Sequence, residues 1–340
     1  MTHTVLLTGV TGFLGSHTAI QLLEKSYTVI GTLRNQSRAS AIRSVIARHT
    51  QKSEHLSFVE ADLSDEAVWD KATAGVDTVM HIASPFPRSL PKDENDLILP
   101  AKQGTLAILK AASKNGVKRV VLTSSTGAIV YGKAKTQRSR TYTEADWTDI
   151  THQKDTTPYF CSKTIAERAA WNFIEQDNSA LALTTICPGA ILGPALTPNF
   201  SASVNIVAKP LSGSLPAVPQ IGFDLVDVRS VADLHIRAME SPQAAGERFI
   251  GSAGFLSFYQ IATILRDAYP ERNLPKGKLP NFAVRLISNF DNTLKPILLD
   301  LGVERRVNHR KAKEVLGWEP IAPKEAVLAC AESLLKLDAI

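Results

Sequence analysis

Short apolar runs rich in β-branched residues alternate with longer stretches of helical spacing along the first 190 or so residues of this chain. Thr4–Thr8 (TVLLT) has no polar face and ends in glycines, the pattern of a strand buried on both sides. Residues 13–25 then place Phe13, Ile20 and Leu23 at helical intervals. Further strands are predicted at Thr28–Leu33, Leu56–Glu60, 76–83, Arg119–Thr123 and 181–187, with amphipathic helices at 94–115 and Pro158–Gln176. Strand alternating with helix predicts an α/β protein with a doubly wound parallel sheet, covered on both faces.

After Pro188 the pattern loosens. Prolines and small residues crowd 188–220, which reads as loop that lines something. One more helical unit is predicted at 226–240 and one more strand at 248–250, and from 253 onward the chain reads as mostly helical. The expected organisation is a nucleotide-binding domain of residues 1–187 plus about 225–252. A smaller, mostly helical substrate domain would comprise about 188–224 plus 253–340.

Composition changes this picture little. The chain has 340 residues, 44% apolar and 21% charged, which suits a folded globular protein and not a disordered one. A net charge of +5, from 38 basic and 33 acidic residues, is too thin for a nucleic-acid or membrane partner. The basic run Arg305, Arg306, Arg310, Lys311 and Lys313 reads as a solvated face. Three cysteines, Cys161, Cys187 and Cys330, make no disulfide framework or zinc pattern, so no metal is expected. No apolar run reaches the ~18 residues of a membrane span. The expectation is a reduced, soluble, cytoplasmic protein, monomer or homodimer.

Chemistry enters at the first strand's end, with Gly9-Val10-Thr11-Gly12-Phe13-Leu14-Gly15. Glycines three apart between a strand and a helix let the backbone approach a pyrophosphate, which then faces the N–H groups of the helix start. Gly9, Thr11, Gly12, Phe13, Leu14 and Gly15 are therefore candidate cofactor contacts. At the end of the second strand, where an NAD-binding unit carries an acid, this chain has Arg34, with Arg38 and Arg43 nearby. A guanidinium grips a 2′-phosphate that a carboxylate would repel, so the expected cofactor is NADP(H), held by Arg34 and Arg38.

Two Tyr-x-x-x-Lys pairs occur, Tyr131…Lys135 and Tyr159…Lys163, and the spacing alone decides nothing. Tyr131 lies in a Gly- and Lys-rich loop. Tyr159 opens a helix, with Thr157 as N-cap and Pro158 at the first helical position, so Tyr159 and Lys163 share a face. A free tyrosine titrates near about 10, and a lysine cation beside it favours the phenolate, making the phenol a usable acid. The fifth strand ends Thr123-Ser124-Ser125, leaving hydroxyls at the sheet's carboxyl edge, where open α/β folds bind ligands. Ser125 is positioned to hydrogen-bond a substrate carbonyl, and Thr123 to border the cofactor.

Together these residues resemble the extended short-chain dehydrogenase/reductase family, in the branch of dihydroflavonol reductases, cinnamoyl-CoA reductases and yeast methylglyoxal-type carbonyl reductases. The likeness runs through TGVTGFLGSH (8–17), EADLSD (60–65), HIASPF (81–86), VVLTSSTGA (120–128), PYFCSKTIAERAAW (158–171), CPGAILGP (187–194), VDVRSVADLH (226–235) and KAKEVLGWEP (311–320). It implies a Rossmann-type domain, a small C-terminal substrate domain and a Ser125–Tyr159–Lys163 mechanism, with Lys163 also on the nicotinamide ribose. It further implies that Asp62 and Leu63 flank the adenine, that Ala83 packs along the cofactor, and that Pro188, Gly189 and Ala190 set the nicotinamide face. The activity so implied is NADPH-dependent reduction of a small-molecule aldehyde or ketone.

The chain departs from its branch at two places. Val130 stands where dihydroflavonol reductases carry Asn or Asp, which speaks against a flavonoid, and TPYFCSK differs from the NWYCYGK of cinnamoyl-CoA reductases, which speaks against a CoA thioester. Phe86, Ile129, Phe200 and Phe223 are apolar candidates for a substrate pocket. The competing readings are a nucleotide-sugar epimerase or dehydratase with retained NAD, disfavoured by Arg34 and by Thr126-Gly127-Ala128 after Ser125, and a non-enzymatic NADPH sensor, disfavoured by the intact Tyr–Lys pair.

Overall fold

The computed structural model describes residues 3–84, 93–198, 200–290 and 292–340. Its main sheet has seven strands: β1 (Thr4–Thr8), β2 (Thr28–Leu33), β3 (Leu56–Glu60), β4 (Thr78–His81), β5 (Arg119–Thr123), β6 (Ala182–Pro188) and β7 (Arg248–Gly251). Their spatial order is β7-β6-β5-β4-β1-β2-β3, and every pairing is parallel. This is the doubly wound Rossmann-type sheet, with its crossover between β1 and β4.

Side chains on β1 show why both faces must be covered. Val5 and Leu7 enter one core with Leu14, Leu22, Val231 and Ile236. Leu6, pointing the other way, enters a second core with Val79, Ile108, Val120 and Leu183. The first face is covered by α1 (Phe13–Glu24) and α5 (Val228–Glu240), with α2 (Ala39–Ala47) beside α1. The second is covered by α3 (Asn95–Lys114) and α4 (Pro158–Gln176). Trp318 also joins the first core, donating its indole N–H to the Ser230 carbonyl at 2.9 Å.

Outside this sheet, Ala190–Leu192, Gly222–Asp227 and Gly254–Ser257 form a three-stranded sheet that the sequence did not announce. It packs with the helices Asn205–Leu211, Phe258–Ala268 and Pro323–Lys336 around a separate core that includes Leu192, Leu225, Ile261 and Val327. The unit predicted at 226–240 is thereby corrected: Val226 and Asp227 finish a strand, and Asp227 caps α5 by accepting from the Arg229 N–H at 2.8 Å. The predicted strand 76–83 shortens to Thr78–His81: the Val76 N–H closes the preceding turn on the Thr73 carbonyl at 3.3 Å, and the Ala83 N–H is taken by the Thr8 hydroxyl at 3.0 Å.

Candidate active site

Gly9 turns the chain out of β1 with φ of +72°, a left-handed conformation that glycine adopts freely. A Cβ on Gly9 would stand 3.1 Å from Ala83 Cα, and one on Gly15 would stand 2.1 Å from the Gly9 carbonyl oxygen. Loop and helix therefore pack backbone on backbone. Gly12 caps α1 without any side-chain acceptor, leaving the first-turn N–H groups and the positive end of the helix dipole for an anion. Beside them lies a cavity of about 310 Å³, lined by Thr11, Gly12, Phe13 and Arg38 and, across from these, by Leu196 and Phe200. Arg38 is the only charged residue among the described residues of that lining. Room, free donors and a cation fit a dinucleotide's phosphates.

Arg34 and Arg38 are both exposed at the carboxyl end of β2. Asp62 lies close to Arg34. Its carboxyl is held below the usual range by the Ser64 hydroxyl and N–H, at 2.6 and 2.9 Å, with the Arg34 charge adding to them. Leu63, Ala83, Thr123 and Lys163 meet around a second, small cavity of about 20 Å³. Ala83 is fixed there by its N–H, which donates to the Thr8 hydroxyl at 3.0 Å, and Thr8 in turn bonds His81 Nδ1 at 2.8 Å.

The helix carrying the tyrosine starts as its sequence demands. Thr157 accepts from the Phe160 N–H at 3.3 Å and Pro158 takes the first helical position. Tyr159 and Lys163 follow one turn apart. The Tyr159 phenol hydrogen-bonds the Ser125 hydroxyl; burial raises its pKa, and that bond acts in the opposite direction. Lys163 is buried, its ammonium donating to the Thr123 carbonyl at 3.5 Å, and burial lowers its pKa to about 8 while Glu167 works against the drop. Ser125 Oγ also accepts from the Gly127 N–H at 3.0 Å. The neighbouring Ser124 points elsewhere and donates to Glu167 at 2.6 Å, so the two serines divide between tyrosine and glutamate. The Thr123 hydroxyl bonds His235 at 2.7 Å, leaving its carbonyl as the group near Lys163.

Pro188, Gly189 and Ala190 lead from β6 into the small sheet. The Gly189 N–H donates to the Gly251 carbonyl at 3.0 Å, and a Cβ on Gly189 would stand 2.3 Å from the Asp224 carbonyl oxygen. Of the four apolar pocket candidates, Phe200 lines the large cavity. Ile129 is core, Phe223 packs edge-on against Phe258, and Phe86 lies outside the described residues.

One sequence reading is corrected. Arg305 is not part of a solvated face: it is buried and forms ion pairs with Asp155 at 2.5 Å and Asp300 at 3.0 Å. Asp155 and Asp300 lie far from the basic run in sequence or are separated from it by apolar residues, so composition gave no hint of the pairing. Tyr131 lies in a loop and Lys135 is exposed, as the sequence reads. The tyrosine itself is buried, stacks on Phe160 at 3.7 Å and donates to Asp300 at 3.0 Å. The reading also missed Glu167 and its partner Arg248, although a glutamate one helical turn after Lys163 was a signal that could have been used.

A model of the NAD dependent epimerase/dehydratase family matches residues 5–250. The chain is 35% identical over 311 residues to the ketoreductase azaE of Aspergillus niger, covering 85% of this chain and 90% of that one. It is 32% identical over 300 residues to a bifunctional dihydroflavonol 4-reductase/flavanone 4-reductase of Malus domestica, covering 86% of this chain and 81% of that one. Among solved structures it superposes on yeast methylglyoxal/isovaleraldehyde reductase Gre2 complexed with NADPH, with a TM-score of 0.82 and 27% identity over 98% of this chain and 99% of that one.

Proposed function

Because the chain belongs to the NAD dependent epimerase/dehydratase family, among its extended short-chain dehydrogenases/reductases, we propose that it reduces an aldehyde or ketone to an alcohol with NADPH. It is an NADP-dependent oxidoreductase. The observation that carries the finer reading is the pairing of the Tyr159 phenol with the Ser125 hydroxyl, one helical turn from a buried Lys163 ammonium.

When bound, NADPH supplies the hydride; Gly9, Thr11, Gly12, Phe13, Leu14 and Gly15 would hold its phosphates, with Arg34 and Arg38 at the 2′-phosphate. The remaining chemistry belongs to the chain. A carbonyl oxygen that accepts hydrogen bonds from Ser125 and Tyr159 is polarised toward attack. Burial keeps the phenol protonated at neutral pH, the form that reduction requires, and Tyr159 then gives its proton to the developing alkoxide. Lys163 is cationic at neutral pH and offsets the negative charge left on the phenolate. Solvent returns the proton to Tyr159 between turnovers.

The test is absorbance at 340 nm with NADPH or NADH and a panel of aldehydes, diketones, ketoesters and a dihydroflavonol. Oxidation of NADPH in preference to NADH, lost in Tyr159→Phe, is the expected result. A protein that turns over no carbonyl and carries tightly held NAD would overturn the reading.

A further inference from the structure

Glu167 lies one helical turn beyond Lys163 on α4, and its side chain is fully buried. Its carboxylate collects donors from three strands of the main sheet. Oε2 accepts from the Ser124 hydroxyl at the end of β5 at 2.6 Å and from Arg248 Nη2 of β7 at 3.2 Å. Oε1 accepts from Arg248 Nε at 2.7 Å, from the Thr185 hydroxyl of β6 at 2.8 Å and from the Trp171 indole at 3.4 Å. Arg248 is itself fixed, with its guanidinium carbon 3.7 Å from the Trp147 ring centre and Nη1 donating to the Asp146 carbonyl at 3.0 Å.

A buried ion pair is a poor source of stability, since well-packed apolar side chains of like volume serve as well or better. What this pair delivers is placement. Ser124 donates to Glu167, and the residue after it is the Ser125 that meets Tyr159. We propose that Glu167, which stands outside the Ser–Tyr–Lys set, positions that set: it fixes the end of β5 through Ser124 and is the buried negative charge beside Lys163. The proposal rests on the reductase reading above.

The groups within electrostatic reach of the Lys163 ammonium come from four elements. They are His81 of β4, Cys187 of β6, Glu167 of α4, and Arg248 of β7, bonded to the Glu167 carboxylate; Tyr159 lies one turn before Lys163 on α4. Burial lowers His81 to about 3 and pushes the Cys187 thiol up to about 12, so both are uncharged at working pH. Glu167 and Arg248 are then the fixed charges near Lys163 among the described residues, and Glu167 is the one that favours its protonated form.

The experiment uses Glu167→Gln and the double variant Glu167→Gln/Arg248→Met, which removes the guanidinium that the single change would leave buried and unpaired. One readout is the pH profile of kcat with NADPH and the best carbonyl found. The other is a 15N NMR titration of the Lys163 side chain in protein carrying 15Nζ-lysine, assigned with Lys163→Arg, which needs no turnover. In Glu167→Gln we expect Lys163 to titrate about half a pH unit or more lower, the basic limb of kcat to move down with it, and kcat below the limb to fall about tenfold. In the double variant, which also removes the Arg248 cation, the lysine should drop in the same direction by less. The KM for NADPH should stay within about twofold. An unchanged lysine titration overturns the proposal, whether kcat is retained or lost equally at every pH. If wild-type protein oxidises no NADPH, the reductase reading fails, and the lysine titration still decides the relation between Glu167 and Lys163.

Discussion

At the scale of single residues, the site separates groups that look alike in the sequence. Ser124 and Ser125 are adjacent hydroxyls, yet one is committed to a buried carboxylate and the other to the Tyr159 phenol. Tyr159→Phe removes the proposed proton donor but little volume. It is expected to lower kcat by about 10²- to 10⁴-fold while NADPH still binds, as followed by quenching of tryptophan fluorescence. Reduction should also be pH-dependent in a definite direction. On the proposed mechanism the active lysine is the protonated one, and burial lowers Lys163 to about 8, so kcat should hold through neutrality and fall above pH 8. A basic limb well below pH 7 would contradict this assignment. If Arg34 holds the 2′-phosphate as proposed, Arg34→Ala removes a charge-assisted contact worth about 1.5–3 kcal/mol. The dissociation constant for NADPH should therefore rise about ten- to a hundredfold, with that for NADH almost unmoved, by isothermal titration calorimetry.

At the scale of elements, the glycine loop depends on contacts that exclude a side chain. Gly15→Ala would push a methyl into the Gly9 carbonyl, 2.1 Å away, and the strand end must shift to admit it. Overpacking of this kind costs about 1–3 kcal/mol. A lower denaturation midpoint together with weaker NADPH binding is expected, whereas Gly75→Ala, which meets no neighbour, should leave binding unchanged. The strands of the main sheet were legible because each is a short apolar run whose two faces are both buried, as Val5, Leu6 and Leu7 show. The small sheet was not. Ala190–Leu192 has three residues, Gly222–Asp227 pairs with it across some thirty intervening positions, and nothing local marks either as a strand. The Tyr–Lys helix was legible to its first residue because Thr157 and Pro158 are local signals. Glu167 and Arg305 were not, since a charge announces its partner only after the chain has folded. Asp155 is 150 positions away from Arg305, and Arg248 is 81 from Glu167.

At the scale of the whole molecule, the later part of the chain is wired to the site through buried charge. Arg305 binds Asp155 and Asp300, Asp300 accepts from Tyr131, and Tyr131 stacks on Phe160, the residue after the proton donor. Arg305→Met takes the buried cation from Asp300 and leaves Asp155 with Arg138, at 2.9 Å, as its ion-pair partner, a loss of up to about 3–5 kcal/mol. Chemical denaturation should report it directly, and the remaining folded fraction should show a reduced kcat because the stack beside Tyr159 is loosened.

Trp318 belongs to the same core as Val5 and Leu7, so strand β1 is sealed by a side chain made some three hundred residues later. At roughly 5–20 residues per second, the ribosome takes on the order of 15 to 60 s to travel between them. Until Trp318 arrives, the helices already lying on that face leave the part of the core that it fills open. A chain cut before Trp318 is therefore expected to expose apolar surface and to aggregate more readily than the full chain, by light scattering on mild heating.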